Sequence, residues 1–297
     1  MEKDQIIILE NRGLISIAGD DAKEYLQNII TNDINKVSKT KSIFSALLSP
    51  QGKYLSEFFI IKSTNGYYLD CDNKTTEELM SGLAKYKLRS QVEIKDLSNE
   101  FVIGIINYDK FKEIQNFEKT KSDTIIYRET PIFVDSRKKQ LGARILSNLE
   151  KLYLTIKKLN LNIVDIKIYH ELAYQQGIPT KGLENLKDQL FGLEANFEEL
   201  KGIDFKKGCY VGQENTARIK LKNKLSKRLL PIHIIKGELK EDAPIYDNIN
   251  NEVGKVLIND EYPFAIIKYL DKNLDKLKEF KSGSAILKIK KPEWMKN

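Results

Sequence analysis

The most informative stretch of this chain is KKGCYVGQE, at residues 206–214. Cys209 is one of only two cysteines, and the positive charge of Lys206 and Lys207 beside it favours the thiolate, the form in which a cysteine acts as nucleophile or metal ligand. Gly208 allows the backbone to approach a ligand closely. These residues suit a reactive site, and they equally suit a surface turn that carries a buried, inert cysteine. The stretch alone leaves both interpretations open.

The composition is that of a globular protein with an excess of positive charge. The 297 residues are enough for one large domain or for two to three sub-domains. The proportions of hydrophobic residues (41%) and charged residues (31%) exclude a disordered chain. The net charge of +7 permits an anionic partner without identifying one, because lysine-rich helix faces are more often solvated surface than nucleic-acid contacts.

The cysteines and the hydropathy pattern predict the compartment. Cys71 and Cys209 are far apart in the chain and form no C-x-x-C, so neither a redox dithiol nor a zinc finger is indicated. Two thiols cannot make a dense disulfide framework, which fits a reducing environment. The sequence has no apolar run of about 20 residues and no secretory signal at residues 1–10. We therefore expect a cytoplasmic protein.

Several common functional motifs are missing from the sequence. It contains no G-x-G-x-x-G, G-x-x-x-x-G-K-[ST], H-E-x-x-H or G-x-S-x-G, and no EF-hand loop. His170 stands alone on a predicted helix and is interpreted as a structural residue. We therefore predict no metal site, and the usual nucleotide-binding, metalloprotease and hydrolase functions have no support.

The beginning of the chain predicts strands and an amphipathic helix. Residues 6–9 and 14–17 are apolar runs on either side of a glycine turn, which predicts an opening hairpin. A helix follows from Ala22 and ends at the polar cluster 31–33. This cluster is typical of a turn and could also hydrogen-bond a ligand.

Three later regions complete the pattern. Residues 110–135 are lysine-rich and irregular apart from two short strand candidates. In residues 218–228, positive residues alternate with apolar ones, which predicts a strand with one basic face; such a ribbon could bind phosphate or carboxylate groups or could be a protected edge strand. The short strands that follow residue 229 predict a small antiparallel barrel.

At residues 202–218 the sequence closely resembles the YgfZ family. This is a group of folate-binding proteins that includes the mitochondrial iron–sulfur assembly factor IBA57 and is related to the T-protein of the glycine cleavage system. Weaker matches occur in the same order at 19–33, 47–53, 86–94, 177–179 and 194–197. The resemblance therefore extends over most of the chain.

The resemblance implies an α+β fold. The expected architecture is a three-lobed, T-protein-like cloverleaf, in which mixed antiparallel sheets and helices surround a central folate channel, with a small β-barrel at the C-terminal end. The corresponding division is a folate-binding core at residues 1–225, with an inserted α+β lobe at about 54–135, followed by the barrel at residues 226–297.

The resemblance also implies a cofactor, an activity and partners. The cofactor would be tetrahydrofolate or a derivative. The activity would be support for the synthesis or repair of iron–sulfur clusters in client enzymes, for example the radical methylthiolation enzymes of tRNA modification. Folate and these clients are the expected partners, and neither a membrane nor a nucleic acid is expected. A single thiol cannot hold a cluster alone, because ordinary clusters take four protein ligands, so no stably bound cluster is expected.

Residue by residue, the resemblance makes Cys209 the functional, catalytic residue and places Lys207 near the folate. The other candidates for folate binding lie in or near the matched stretches. They are Gly208, Tyr210, Gln213, Glu214, Arg218, Asn32, Asp33 and Gln175. The basic ribbon at 218–228 would suit the carboxylates of a folate polyglutamate tail.

Two alternative functions remain, and no reaction is defined. The first is the folate-dependent aminomethyltransferase of glycine cleavage, which resembles this chain in fold. An ungapped alignment places Ser56 and Glu57 where that enzyme has a catalytic Asp pair, and Gln175 where it has a folate-contacting Glu; both departures argue against aminomethyl transfer. The second is a basic RNA-binding or assembly scaffold, which would need aromatic residues interleaved with the basic ribbon for base stacking.

Overall fold

The computed structural model describes residues 1–222, 224–268 and 279–295. Within them the strands are β1 (Gln5–Leu9), β2 (Arg12–Ala18), β3 (Ile43–Leu48), β4 (Tyr54–Lys62), β5 (Gly66–Asp72), β6 (Glu93–Asp96), β7 (Val102–Ile106), β8 (Thr124–Tyr127), β9 (Thr130–Val134), β10 (Ala143–Ser147), β11 (Asn162–Ile163), β12 (Lys227–Lys236), β13 (Pro244–Tyr246), β14 (Glu252–Ile258), β15 (Phe264–Lys268), β16 (Phe280–Ser282) and β17 (Ala285–Ile289). The α-helices are α1 (Ala22–Ile29), α2 (Thr76–Lys85), α3 (Tyr108–Phe117), α4 (Leu149–Lys158), α5 (Lys167–Gln175) and α6 (Gln213–Leu221). No helix in these ranges is long and apolar enough to cross a membrane.

The strands form two open sheets and one barrel. The first sheet has the order β11-β1-β7-β10-β9-β8, and the second has the order β3-β4-β5-β2-β6. Apolar side chains from both sheets, such as Ile7 and Phe133 of the first and Phe59 of the second, share one buried core. The region predicted as an inserted lobe, residues 54–135, contributes strands to both sheets. The division at residues 225 and 226 stays a prediction.

The predicted opening hairpin is wrong. Strand β1 pairs with β7 in the first sheet, whereas β2 pairs along its whole length with β5 in the second. Both strands are largely buried, so each finds a partner whose apolar face it can cover rather than the strand next to it in sequence. The turn between them carries the chain from one sheet to the other.

Two further predictions failed locally. Residues 110–135 are not irregular at their start, because α3 begins after Asn107, whose side chain accepts a hydrogen bond from the Asp109 amide, and buries Phe111 and Ile114 three positions apart. The ribbon at 218–228 is not one strand. Its first residues end helix α6, and a strand begins only at Lys227.

The C-terminal barrel is confirmed. Six strands close in the order β12-β15-β14-β13-β16-β17 around a core that includes Ile232, Val256 and Leu287, all fully buried. The alternation of buried and exposed positions along these strands is what the sequence pattern indicated. The last residue of the strand predicted at 265–269 lies outside the described residues.

Candidate functional site

The two cysteines lie in opposite environments. Cys209 is exposed, in a loop of residues 201–212 that contains no helix or strand and that we call the thiol loop. Cys71 is fully buried in β5, and burial raises the pKa of its thiol to about 12. A thiol with so high a pKa is not ionised near neutral pH. The buried, inert alternative therefore describes Cys71 and not Cys209.

Lys207 fixes the thiol loop to the end of α1. Its Nζ donates to three main-chain carbonyl oxygens, those of Gln27 at 2.7 Å, Ile30 at 2.6 Å and Asn32 at 3.1 Å. The last carbonyls of a helix have no partner within it, and a cation there also complements the helix dipole. The ammonium thus gives all three of its hydrogens to the backbone at the end of the helix.

The same contacts limit what Lys207 can do for Cys209. The side chain is 8% exposed, and burial lowers its pKa to about 8, with the carboxylates of Asp33 and Asp204 acting in the opposite direction. Because its three hydrogens are already donated, this ammonium has none to offer the Cys209 thiol or a ligand in this conformation. The predicted contact between Lys207 and folate stays a prediction.

A further set of hydrogen bonds joins the thiol loop to the polar cluster at 31–33. The Thr31 hydroxyl donates to the Gly202 carbonyl at 2.7 Å, and the Asn32 side-chain amide donates to the Lys201 carbonyl at 2.8 Å. The Asp204 amide donates to the Thr31 carbonyl at 3.0 Å. Two stretches that the sequence singled out separately, about 175 residues apart, therefore form one structure.

The other predicted site residues are distributed unevenly around this structure. Asp33 is half-buried and accepts hydrogen bonds from Asn35; burial opposes these bonds, but they prevail and lower the pKa of Asp33. Glu214 and Arg218 are exposed on α6, and Gln213 begins that helix. Gln213 and Glu214 directly follow the thiol loop, Arg218 lies one turn further along α6, and Asp33 belongs to the polar cluster that is bonded to the loop.

Gln175 lies apart from them. It is exposed at the end of α5, and its amide contacts Glu171 at 3.4 Å. No hydrogen bond among the described residues connects it to the thiol loop. The structure therefore does not bring Gln175 together with the motif.

Tyr210 closes the inner side of the loop. Its ring lies 4.9 Å from the Lys207 Nζ, an ammonium–aromatic contact. The hydroxyl is buried without a well-formed hydrogen bond among the described residues, and burial raises its pKa to about 12. Tyr210 therefore packs behind the loop while Cys209 faces outward.

The two motif glycines have different reasons to be glycine. Gly212 has a φ of 82°, and a Cβ there would lie 2.4 Å from the Ser49 carbonyl oxygen. Gly208 has no such φ, and a Cβ there would have no atom within 4 Å. Packing therefore requires a glycine at 212, whereas at 208 it leaves open space beside Cys209.

A second polar region lies at the centre of the molecule, and the sequence analysis missed it. We call it the arginine cluster: Arg12, Arg137 and Arg144 with Asp70 and Asp135. Asp70 is fully buried and accepts from Arg12 Nε at 2.6 Å and from Arg144 Nη1 at 2.8 Å. Asp135 accepts from Arg137 Nη2 at 2.8 Å. An arginine in the middle of the apolar strand β10 was the available signal.

Aromatic residues complete the surroundings of the arginine cluster. The Arg144 and Arg137 guanidinium carbons lie 4.3 Å and 4.8 Å from the Phe59 ring centroid. The Tyr169 hydroxyl accepts from both arginines, at 3.2 Å and 3.0 Å. Each buried charge is thus paired and bonded, as a stable interior requires.

Of the two residues that align with the catalytic Asp pair of the glycine-cleavage aminomethyltransferase, Glu57 lies near Arg12 and Arg137 of this region. Glu57 accepts a hydrogen bond from the Tyr54 hydroxyl, and burial raises the pKa of Glu57 against the effects of Tyr54 and Arg12. The Ser56 hydroxyl is buried without a hydrogen bond among the described residues. Ser56 carries no carboxylate, so Ser56 and Glu57 together do not reproduce the pair of carboxylates.

The central cavity is too small for tetrahydrofolate as it stands. The three arginines of the cluster line it, together with Glu57 and His170, and its volume is about 30 Å³. Ligand pockets of drug size measure about 300–1,000 Å³. Arg144 Nε and His170 Nε2 are buried without a hydrogen bond among the described residues, and the space beside them suits water-sized guests. A folate would enter only if the arginine cluster moved.

The described residues contain no group of three or more His, Cys, Asp or Glu side chains that could hold a metal ion.

Comparisons with known proteins agree on the family resemblance. No family model matches the chain. The chain is 28% identical over 257 residues to the mitochondrial iron–sulfur cluster assembly factor IBA57 homolog of Dictyostelium discoideum, covering 76% of this chain and 62% of the relative. It is 30% identical over 229 residues to the protein of the same name from Pyricularia oryzae, covering 75% and 56%. The predicted resemblance to assembly factors of the IBA57 type is confirmed.

The chain spans about three-fifths of the length of the curated relatives it matches. These relatives are named as mitochondrial proteins, which contradicts the cytoplasmic location predicted above. The disulfide-poor composition had indicated only a reducing environment, and that does not distinguish the two compartments.

The fold has a solved counterpart. The crystal structure of glycine cleavage system aminomethyltransferase T from Bartonella henselae superimposes with a TM-score of 0.72, covering 98% of this chain and 86% of that one, at 12% identity. The predicted T-protein-like fold is therefore confirmed. At this identity the match concerns the fold alone.

Proposed function

We propose that this chain supports the assembly of iron–sulfur clusters in other proteins and that Cys209 is the group through which it acts. The observation that carries the proposal is the exposed Cys209 thiol on a loop fixed by Lys207, in a chain whose only other cysteine is fully buried. The names of the relatives supply the direction: they are iron–sulfur cluster assembly factors.

The number of thiols shapes the proposed chemistry. A cluster held by cysteine takes four protein ligands, and this chain has one accessible thiol. Cys209 therefore contributes one ligand, or one nucleophile, to a site that a partner completes. The open space beside Gly208 leaves room for that partner to reach the sulfur.

The test replaces each cysteine in turn. In cells that lack their own copy of the protein, Cys209→Ala is expected to abolish rescue of iron–sulfur enzyme activity, because the variant retains the fold and loses the exposed thiol. The matched control is Cys71→Ala, which also removes one sulfur, and it is expected to rescue at the level set by its folded fraction. Full rescue by Cys209→Ala, at equal protein abundance, would remove the thiol from the function.

The proposed clients are radical methylthiolation enzymes of tRNA modification. These enzymes depend on iron–sulfur clusters, so the level of methylthiolated tRNA in the same cells reports on them. We expect that level to fall with Cys209→Ala and to follow the folded fraction of the protein with the control Cys71→Ala. If the level of methylthiolated tRNA is unchanged while other iron–sulfur enzyme activities are lost, these enzymes are not the clients. The proposed role in iron–sulfur cluster assembly would still stand.

Tetrahydrofolate stays a proposed ligand, on the condition that the structure changes to admit it. Binding at the centre requires the arginine cluster to open, because the cavity of about 30 Å³ does not hold the molecule. No chemical step is derived through it. Calorimetric titration with tetrahydrofolate tests the point directly, and the absence of heat at millimolar ligand would remove folate from the proposal.

A further inference from the structure

A basic cleft adjoins the central cavity at Arg137. Arg137 lines both spaces. The cleft measures about 490 Å³, within the range of small-molecule sites. The lining residues that matter here are Tyr108, Asp109, Arg137, Lys138, Lys139 and Lys201, and we call this group the basic cleft.

The charges of the basic cleft are unbalanced. Three lysines line it, and no salt bridge to any of them occurs among the described residues. The carboxylate Asp109 also lines it, but this side chain is exposed and lies 3.9 Å from Lys112. Lys139 lies over the Tyr108 ring at 5.3 Å, which orients it without neutralising it.

Lys138 and Lys201 line the same cleft with charges of the same sign. Burial lowers the pKa of Lys138, and the Lys201 charge lowers it further, while Glu199 and Glu293 act in the opposite direction. A protein that places two ammonium groups together gains free energy when an anion binds between them. The geometry that points to an anionic ligand is therefore the shared lining of one cleft by lysines that form no salt bridge among the residues that the structure describes.

The backbone at Lys201 is fixed in an unusual shape. Its φ is 59°, in the left-handed region that favours glycine and asparagine, and its carbonyl accepts the hydrogen bond from Asn32 described above. Lys201 also begins the thiol loop. The basic cleft therefore touches the arginine cluster through Arg137 and the thiol loop through Lys201.

We propose that the basic cleft binds a small anion that carries at least two carboxylate or phosphate groups. Three unpaired ammonium groups are more than a single carboxylate neutralises, and the volume of the cleft suits a small molecule. This site goes beyond the proposed function and depends neither on the Cys209 thiol nor on tetrahydrofolate.

Isothermal titration of the full chain with citrate and, separately, with inorganic pyrophosphate tests the proposal. The test variant is Lys138→Gln with Lys201→Asn, because asparagine tolerates the left-handed backbone at 201. The matched control is Lys157→Gln with Lys158→Gln, which removes the same charge from exposed lysines on α4, outside both the basic cleft and the ribbon at 218–228. Thermal unfolding of both variants verifies the fold, and Lys139→Gln alone serves as a second test that leaves residue 201 intact.

We expect at least one probe to bind the unaltered chain. The test variant should weaken that binding at least tenfold, since it removes two charge-assisted contacts, and the control should change it less than about twofold. Binding of citrate alone would identify a polycarboxylate ligand, and binding of pyrophosphate alone a phosphate ligand; either supports the site. No binding of either probe at millimolar concentration, or equal weakening by test variant and control, would overturn it.

Discussion

The thiol loop and the arginine cluster use polar groups in opposite ways. In the thiol loop, one buried ammonium and a few main-chain hydrogen bonds leave Cys209 exposed. In the arginine cluster, charged side chains bury one another and leave a cavity of about 30 Å³. The difference teaches that the centre of this cloverleaf contributes to its architecture, whereas the chemistry available to a partner lies at its surface.

Removing Asp70 should break the arginine cluster. Asp70→Ala leaves Arg12 and Arg144 without the carboxylate that both contact, and an uncompensated buried charge costs about 3–5 kcal/mol of the free energy of unfolding. Urea unfolding measures this loss. The control Asp109→Ala, at an exposed carboxylate, should cost less than about 0.5 kcal/mol. A loss below about 1 kcal/mol for Asp70→Ala would mean that the cluster contributes little to stability.

Removing the Lys207 ammonium should loosen the thiol loop more than the rest of the molecule. Lys207→Met keeps the length of the side chain and leaves three carbonyls without their donor, a loss of about 1–3 kcal/mol. Hydrogen exchange of the Val211 amide, which donates to the Asn28 carbonyl at 3.1 Å, reports on the loop locally.

The control for this change is the neighbouring exposed lysine. Lys206→Met removes the same charge from the same loop and should leave the exchange of Val211 unchanged. If both variants accelerate exchange equally, the positive charge of the loop keeps it in place. The hydrogen bonds from Lys207 to the three carbonyls would then not be responsible.

The two motif glycines test the loop on a finer scale. Gly212→Ala combines a positive φ with a contact of 2.4 Å to the Ser49 carbonyl and should cost about 1–2 kcal/mol in urea unfolding. Gly208→Ala places its methyl group in open space and should change stability by less than about 0.5 kcal/mol. Equal costs at both positions would contradict the distinction between a packed and an open glycine.

The sequence predicted the fold where patterns are local and failed where partners are distant. Alternating residues after 229 were enough for the barrel, and the motif resemblance was enough for the T-protein-like architecture. The hairpin of β1 and β2 was wrong because pairing depends on strands that come much later in the chain. Helix α3 was missed because its lysine-rich surface hid the buried pair Phe111 and Ile114.

The sequence identified the functional residue of the candidate site, but it did not predict how that residue is positioned. The motif singled out Cys209, but its exposure depends on a loop anchored to residues about 175 positions earlier. Lys207 was expected to face a ligand, and its carbonyl partners near the end of α1 could not be read from its own neighbours. The arginine cluster gave no motif at all, since Arg12, Arg137 and Arg144 meet only when both sheets have formed.

The last prediction concerns the protonation of Lys207. Its pKa of about 8 lies below the ordinary value of about 10.4, so between these values the unfolded chain binds more protons and the free energy of unfolding rises with pH. Deprotonation leaves two hydrogens for three carbonyls, and the contact with Asn32, the longest at 3.1 Å, should be lost first. Nitrogen NMR of labelled lysine should show one amine that titrates near pH 8, absent in Lys207→Met. If the Lys207 signal instead titrates with the exposed lysines, the hydrogen bonds to the three carbonyls fully offset the effect of burial on the pKa of Lys207. The thiol loop would then keep its buried charge at all pH values near neutral, as the arginine cluster does.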